Sequence, residues 1–242
     1  MSGWRLGRWS DRLRLVRHAA TLVAGRRFWI APLIPLAWPA LQVAFAAMGF
    51  WQGGLSVNDA QGRLIGLPLT MLGIGLGVRI IAGEIDRRTL EIAYTVPGGT
   101  HRVWLAKLAA TVLILLVAEL PLALVTWIFF TEFPPAALYG AMQAAVFYTV
   151  LSMAFAALAK SEAAGALITF VVLMLNGFIA GFGQNQIRIS PFWNPEALGA
   201  NNDPAQIMAW TVQNRIGFLL VIAMVIALAF GRAEQRERVL SG

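Results

Sequence analysis

No cysteine occurs anywhere in the 242 residues, which excludes disulfides, thiolate nucleophiles, zinc–thiolate sites and iron–sulfur clusters. Histidine is almost as scarce, and His18 and His101 are too few to build a histidine metal cluster. Charge is thin as well: 13% of residues are Asp, Glu, Lys or Arg, where a soluble domain carries about 25%. The sequence has no Walker A phosphate loop, no nucleophile elbow, no HExxH zinc helix and no paired-aspartate signature of lipid-headgroup transferases. The chain is therefore expected to be no enzyme and to bind no cofactor itself. What it has in excess is apolar surface, at 58% of residues against about 45–50% in soluble domains, and this points to lipid and away from disorder. A net charge of +7 would suggest nucleic acid in a soluble protein. Here the placement of the charges matters more than their sum, and no nucleic-acid partner is expected.

The apolar residues are gathered into long runs. A helix needs roughly 20 such residues to cross about 30 Å of hydrocarbon, and six segments meet that test. They cover about 28–51, 64–82, 104–130, 136–159, 163–183 and 203–231. Pro134 and Pro135 mark a tight turn between the third and fourth, and Asp203-Pro204 reads as an N-cap followed by a first-turn proline. The expected fold is all-α: a polytopic membrane protein with six transmembrane helices in a 28–231 membrane domain. Gly73-Ile74-Gly75-Leu76-Gly77 has the glycine density of a nucleotide loop but lies inside the second run with no preceding strand. Gly73 with Gly77, and Gly177 with Gly181, instead have the small-xxx-small spacing of closely packed membrane helices.

Lys and Arg are retained on the cytoplasmic side of a membrane protein, so their positions set its direction. Arg5, Arg8, Arg12, Arg14, Arg17, Arg26 and Arg27 precede the first run; Arg87, Arg88, Arg102 and Lys107 lie between the second and third; Lys160, Arg232, Arg236 and Arg238 follow even-numbered runs. The opposite connections hold Arg63 and Arg188, with Arg215 near the outer part of the last helix. Both termini are thus expected in the cytoplasm, including the 232–242 tail. Trp29, Trp51, Trp104, Trp127, Trp193 and Trp210 fall near run ends, where interfacial anchors belong. Residues 1–27 are expected to include an amphipathic interfacial helix, with Trp9, Leu13, Val16, Ala20 and Val23 on its apolar face and arginines on the others.

The connection between the second and third runs is the most informative stretch. Within 84–103, Arg87, Arg88 and Glu91 alternate with Ile85, Leu90, Ile92 and Tyr94, and Pro97-Gly98-Gly99 then breaks the pattern. The glutamate at 84, Thr89-Leu90-Glu91, the proline at 97, Arg102 and Lys107 together resemble the loop between the second and third helices of ABC-2 type transporter permeases, the transmembrane subunits of ATP-binding cassette transporters. Arg88 departs from the glycine common before the threonine. The likeness extends to the amphipathic N-terminus, six spans and a long outer connection holding Ser190-Pro191-Phe192. It implies a dimeric exporter subunit of the bacterial inner membrane that docks two cytosolic ATPase subunits, on which ATP and Mg are bound. It also implies that Glu84, Arg88, Thr89, Leu90, Glu91 and Pro97 contact the ATPase through a coupling helix. Lys160-Ser161-Glu162 is a second, weaker contact candidate. A membrane scaffold that recruits a cytosolic partner without moving solute is the alternative from another class.

Polar residues inside the runs are candidates for a translocation pathway. Glu119 lies roughly 18 Å along the third helix from Lys107, near mid-membrane, where an ionised carboxylate costs on the order of 2.5–3.5 kcal/mol. It requires a partner, protonation or a water-filled cavity. Gln143 and Asn176 join it as pathway candidates, with interhelical hydrogen bonding as the alternative. Arg79 reads as an anchor that snorkels to the headgroups. The extracytoplasmic connection 184–210 is too long for a turn. Its Ile187, Ile189, Phe192 and Trp193 suit a re-entrant or interfacial hairpin, either meeting an extracytoplasmic accessory protein or serving as a passive lid. If the N-terminal helix lies in the headgroups, replacing Trp9 and Leu13 with Asp will raise aqueous labelling of cysteines introduced beside them; unchanged labelling would refute that placement.

Overall fold

The computed structural model of the chain describes residues 16–49, 55–86, 100–183, 187–198 and 202–240, and every regular element among them is helical. Helix α1 covers residues 16–24 and stops at Gly25, whose φ of 83° lets the chain turn left-handed where a Cβ would be strained. A 3-10 turn over Ala31–Leu36 leads into α2 (Ala37–Ala47). Next come α3 (Val57–Asp59), a π-helical stretch Ala60–Gly66 and α4 (Leu67–Gly77), then the short α5 (Ala82–Asp86). Four long helices complete the described chain: α6 (Thr100–Phe129), α7 (Ala136–Ala159), α8 (Glu162–Ala180) and α9 (Pro204–Leu240).

Of these, α6, α7, α8 and the Pro204–Arg232 part of α9 are long and apolar enough to cross a membrane. The chain is therefore an all-helical membrane protein with four candidate spanning helices. The other two expected crossings are not among them. Pro32, Pro35 and Pro39 lack the amide hydrogen that an α-helix needs, and Ala31–Ala47 begins as a 3-10 turn and stays short. The helical run from Val57 to Gly77 is uninterrupted but changes pitch at Ala60–Gly66. The expected N-cap of the last helix is present, with Ala205 N donating to Asp203 Oδ1 at 3.0 Å. Trp9 and Leu13, and the coupling-helix residues Arg88, Thr89, Leu90, Glu91 and Pro97, lie outside the described residues.

Helix α7 is the centre of the bundle and the most buried of the four spanning helices. In lipid there is no hydrophobic force to drive helix against helix, so association rests on close packing and hydrogen bonds, and small residues are what permit both. Ala137, Gly140, Ala141, Ala144, Ala145, Ser152 and Ala156 supply that face. A Cβ at Gly73 would collide with Thr149 Oγ1, and one at Gly77 with Ser152 Oγ and the Thr149 carbonyl, so the expected close approach of these glycines is realised against α7. Further along the same face, Gly165 of α8 sits directly against Ala156. Gly177 makes a different contact from the one its spacing suggests: it lies beneath the ring of Phe182.

The contacts fix chain directions. Gly140 meets Gln61, Thr149 meets Gly73 and Ser152 meets Gly77, so α7 runs parallel to α4. Lys107 reaches Ile80 while Leu115 reaches Gly73, so α6 runs antiparallel to both. Outward faces are apolar, as lipid requires: Leu113, Leu116, Leu120 and Leu124 on α6, and Leu167, Val171, Leu175 and Phe178 on α8, are all exposed. Gly77→Leu should destabilise the fold by about 1–3 kcal/mol or more through overpacking against Thr149 and Ser152, whereas Gly75→Ala, where a Cβ meets nothing within 4 Å, should leave thermal unfolding in detergent unchanged or slightly raised.

Candidate functional site

Two polar clusters lie at opposite ends of the bundle. The first holds together the chain on either side of residues 87–99. Lys107, about two turns into α6, points toward α5 and places Nζ 2.5 Å from Glu84 Oε1. The same ammonium donates to the Ile80 carbonyl at 3.2 Å. The second carboxylate oxygen, Glu84 Oε2, accepts from Trp104 Nε1 at 3.1 Å. All three side chains are buried, at 8%, 3% and 1% exposure for Glu84, Lys107 and Trp104. Burying either charge alone would cost several kcal/mol, so the pair survives only because each charge is met by the other and by further hydrogen bonds.

This clamp is seated on apolar packing. The Trp104 ring lies 5.5 Å from that of Phe230 on α9, and Ile80, Ile81, Leu108, Val150 and Met153 surround them. Elements α5, α6, α7 and α9 therefore meet at one point. Glu84, expected as an ATPase contact, turns inward to Lys107 and Trp104, while its neighbours in that expectation lie among the undescribed residues 87–99. Trp104 differs from its expected role too: it is a buried hydrogen-bonded core residue and not an interfacial anchor. Nearby, Arg79 Nε faces Glu162 Oε2 at 3.6 Å and Arg79 Nη1 donates to the Val23 carbonyl at 3.2 Å. The Lys160-Ser161-Glu162 turn is thus tied to α1 through Arg79. Lys160 adopts a left-handed φ of 56° as the cap of α7, and Ser161 caps α8.

The second cluster is built by the 187–198 segment, which is folded in among the helix ends. Phe192 and Trp193 are fully buried while Ile189 stays 85% exposed, so part of the expected hairpin plugs the bundle and part faces outward. Gln61 Nε2, on the π-helical stretch, donates to the Trp193 carbonyl at 2.7 Å and the Phe192 carbonyl at 3.4 Å. Asn214 Nδ2 of α9 donates to the carbonyls of Arg188 (2.6 Å) and Ser190 (3.0 Å). Trp193 Nε1 donates to Thr211 Oγ1 at 3.0 Å, so this tryptophan also departs from the anchor role. Non-helical backbone at membrane depth needs such partners, because no water is there to provide them.

The proposed pathway residues separate in this frame. Gln143 Nε2 donates to Asn214 Oδ1 at 3.0 Å, and Asn176 exchanges hydrogen bonds with Ser190 Oγ at 3.1 and 3.3 Å. Both are thereby joined to the plug. Glu119 is not brought to them; it is 7% exposed among α6 neighbours Ala118 and Leu122, and its Oε1 has no hydrogen-bond partner. Gln61, Ser190, Thr211 and Asn214 were not singled out from the sequence as site residues. Asn214 carried a usable signal, an amide inside an apolar helix. Lys107 carried one as well, a charge past the first turn of a spanning helix.

Neither a protein-family model, nor a curated protein, nor a solved structure matches this chain. Among the described residues no group of three or more His, Asp or Glu side chains is placed to hold a metal ion. Lys107→Met should destabilise the protein by about 3–5 kcal/mol by leaving Glu84 charged and unpaired, and Glu84→Gln added to it should restore most of that loss in detergent unfolding; a double variant as unstable as the single would disprove the pairing.

Proposed function

We propose that this chain is the transmembrane permease subunit of an ATP-binding cassette transporter. It pairs with a second permease subunit, identical or related, and carries two cytosolic ATPase subunits, on which ATP and Mg are held. The observation that carries this reading is the clamp. By sequence residues 87–99 are charged and amphipathic, and the chain on either side of them is tied together by Glu84, Trp104 and Lys107. A loop with slack stems would absorb a push. A loop whose stems are locked to α6, α7 and α9 passes the push into the bundle, which is what a coupling element between a motor and a membrane domain requires.

The broken helical runs Ala31–Ala47 and Val57–Gly77 serve in this reading as the first and second of six crossings. The basic residues support its orientation: Arg26, Arg27, Arg79, Lys160 and Arg232 belong to helix ends on the clamp side, whereas Arg63, Arg188 and Arg215 belong to the plug side. The clamp side and both termini are then cytoplasmic, in a bacterial inner membrane. ATP binding by the partner would favour one of two arrangements of the spans, with the plug at the outer end of the path. Export follows from the likeness of the 84–107 segment to ABC-2 permeases.

The alternative, a scaffold that recruits a cytosolic partner and moves nothing, shares the loop but needs no transmission through the clamp. Co-purification of a Walker-containing protein with the full chain, lost in a Glu91→Arg variant that still inserts and folds normally, is the expected result. In vesicles reconstituted with that partner, Glu91→Arg should lower ATP-driven transport at least tenfold. Full transport by the variant, or no nucleotide-binding partner in the wild-type preparation, would overturn the proposal.

A further inference from the structure

A groove of about 630 Å³ runs along the outside of the bundle between the Ala31–Ala47 region and α4, with Met174 of α8 closing one flank. Its walls are apolar, including Trp38, Leu41 and Met71, and Arg79 at one end is the single charged residue that lines it among the described residues. Gly75 opens its floor: a Cβ there would meet nothing within 4 Å. From Leu67 to Arg79 the groove follows roughly 18 Å of helical chain, close to the thickness of one leaflet, about half of the 30 Å core. At its charged end, Arg79 Nη1 is bonded to the Val23 carbonyl, so the turn carrying the exposed Arg26 and Arg27 adjoins it. Glu162 Oε2 lies 3.6 Å from Arg79 Nε at the same end.

We propose that this groove holds a resident anionic phospholipid, one acyl chain lying along α4 past Gly75 and the phosphate group against Arg79, Arg26 and Arg27. A one-leaflet apolar slot with cations at one end only has the polarity of an amphiphile with an acidic head. A second copy of the chain fits the surface poorly. A twofold interface sets a patch against itself, so it would face concavity with concavity and bring like-charged arginine clusters together. The inference rests on the membrane character of the chain and not on a transport role.

The test uses the full-length protein in detergent, titrated with phosphatidylglycerol or phosphatidylcholine of the same acyl chains and read by native mass spectrometry. Wild type should retain one phosphatidylglycerol with a preference of about fivefold or more over phosphatidylcholine. Arg79→Gln should remove most of that preference while leaving residual retention of both lipids. Gly75→Leu should lower retention of both at least fivefold with unfolding temperature unchanged, and Met71→Phe provides a second obstruction if that variant inserts poorly. Equal retention of the two lipids by wild type, retention unaffected by both obstructing variants, or efficient disulfide dimerisation of a Gly75→Cys variant would overturn the proposal, the last by showing a second copy in the groove.

Discussion

Close approach between backbones at the small-residue face of α7 is the constraint from which the remaining architecture follows. Lipid tails are as apolar as leucine, so helices surrounded by them gain little by hiding side chains from solvent. What they can gain is dispersion at short range, and that requires glycine, alanine or serine where the axes meet. Gly73 and Gly77 let α4 rest on Thr149 and Ser152, and Gly165 lets α8 rest on Ala156. With α4 and α8 seated on α7 and α9 also packed along it, α6 and the Ala31–Ala47 region pack against α4 and against each other.

Polar groups then fasten the two ends of that packed unit by different means. At the clamp, one buried ion pair joins elements that are distant in sequence, and Trp104 contributes both a donor to Glu84 and a ring to Phe230. At the plug, the fastening is distributed: amides from Gln61 and Asn214 meet backbone carbonyls, and each such bond contributes about 0.6–1.7 kcal/mol. The tie is strong and local at one end and distributed over several modest bonds at the other. Roughly 20 Å of α7, from Gln143 to Ala156, separates them.

Much of this was legible in the sequence, and for identifiable reasons. Run length and low charge gave the membrane class, and α6, α7, α8 and α9 fall close to their expected bounds because unbroken apolar runs leave few alternatives. The Asp203-Pro204 start of α9 and the Gly73/Gly77 contact followed from local chemistry. Trp104 and Trp193 were misread as anchors because position near a run end does not reveal what packs above it. The Glu84–Lys107 pair was hidden for a related reason: its members stand 23 positions apart, and pairing depends on how α5 and α6 meet. The plug was partly foreseen from its prolines and apolar residues. Its partners were not, since amides such as Gln61 and Asn214 show their purpose only once unsatisfied carbonyls lie opposite. The π-helical pitch at Ala60–Gly66 left no mark in the apolar pattern.

That pitch change has a rotational effect. In an uninterrupted α-helix, at about 100° per residue, Gln61 would stand roughly 120° around the axis from Gly73. Both lie against α7, Gln61 at Gly140 and Gly73 at Thr149, and the wider π turns of Ala60–Gly66 set the angle between them. Gln61 also holds the carbonyls of Phe192 and Trp193, so the helical run that seats the glycines on α7 is the one that anchors the 187–198 segment.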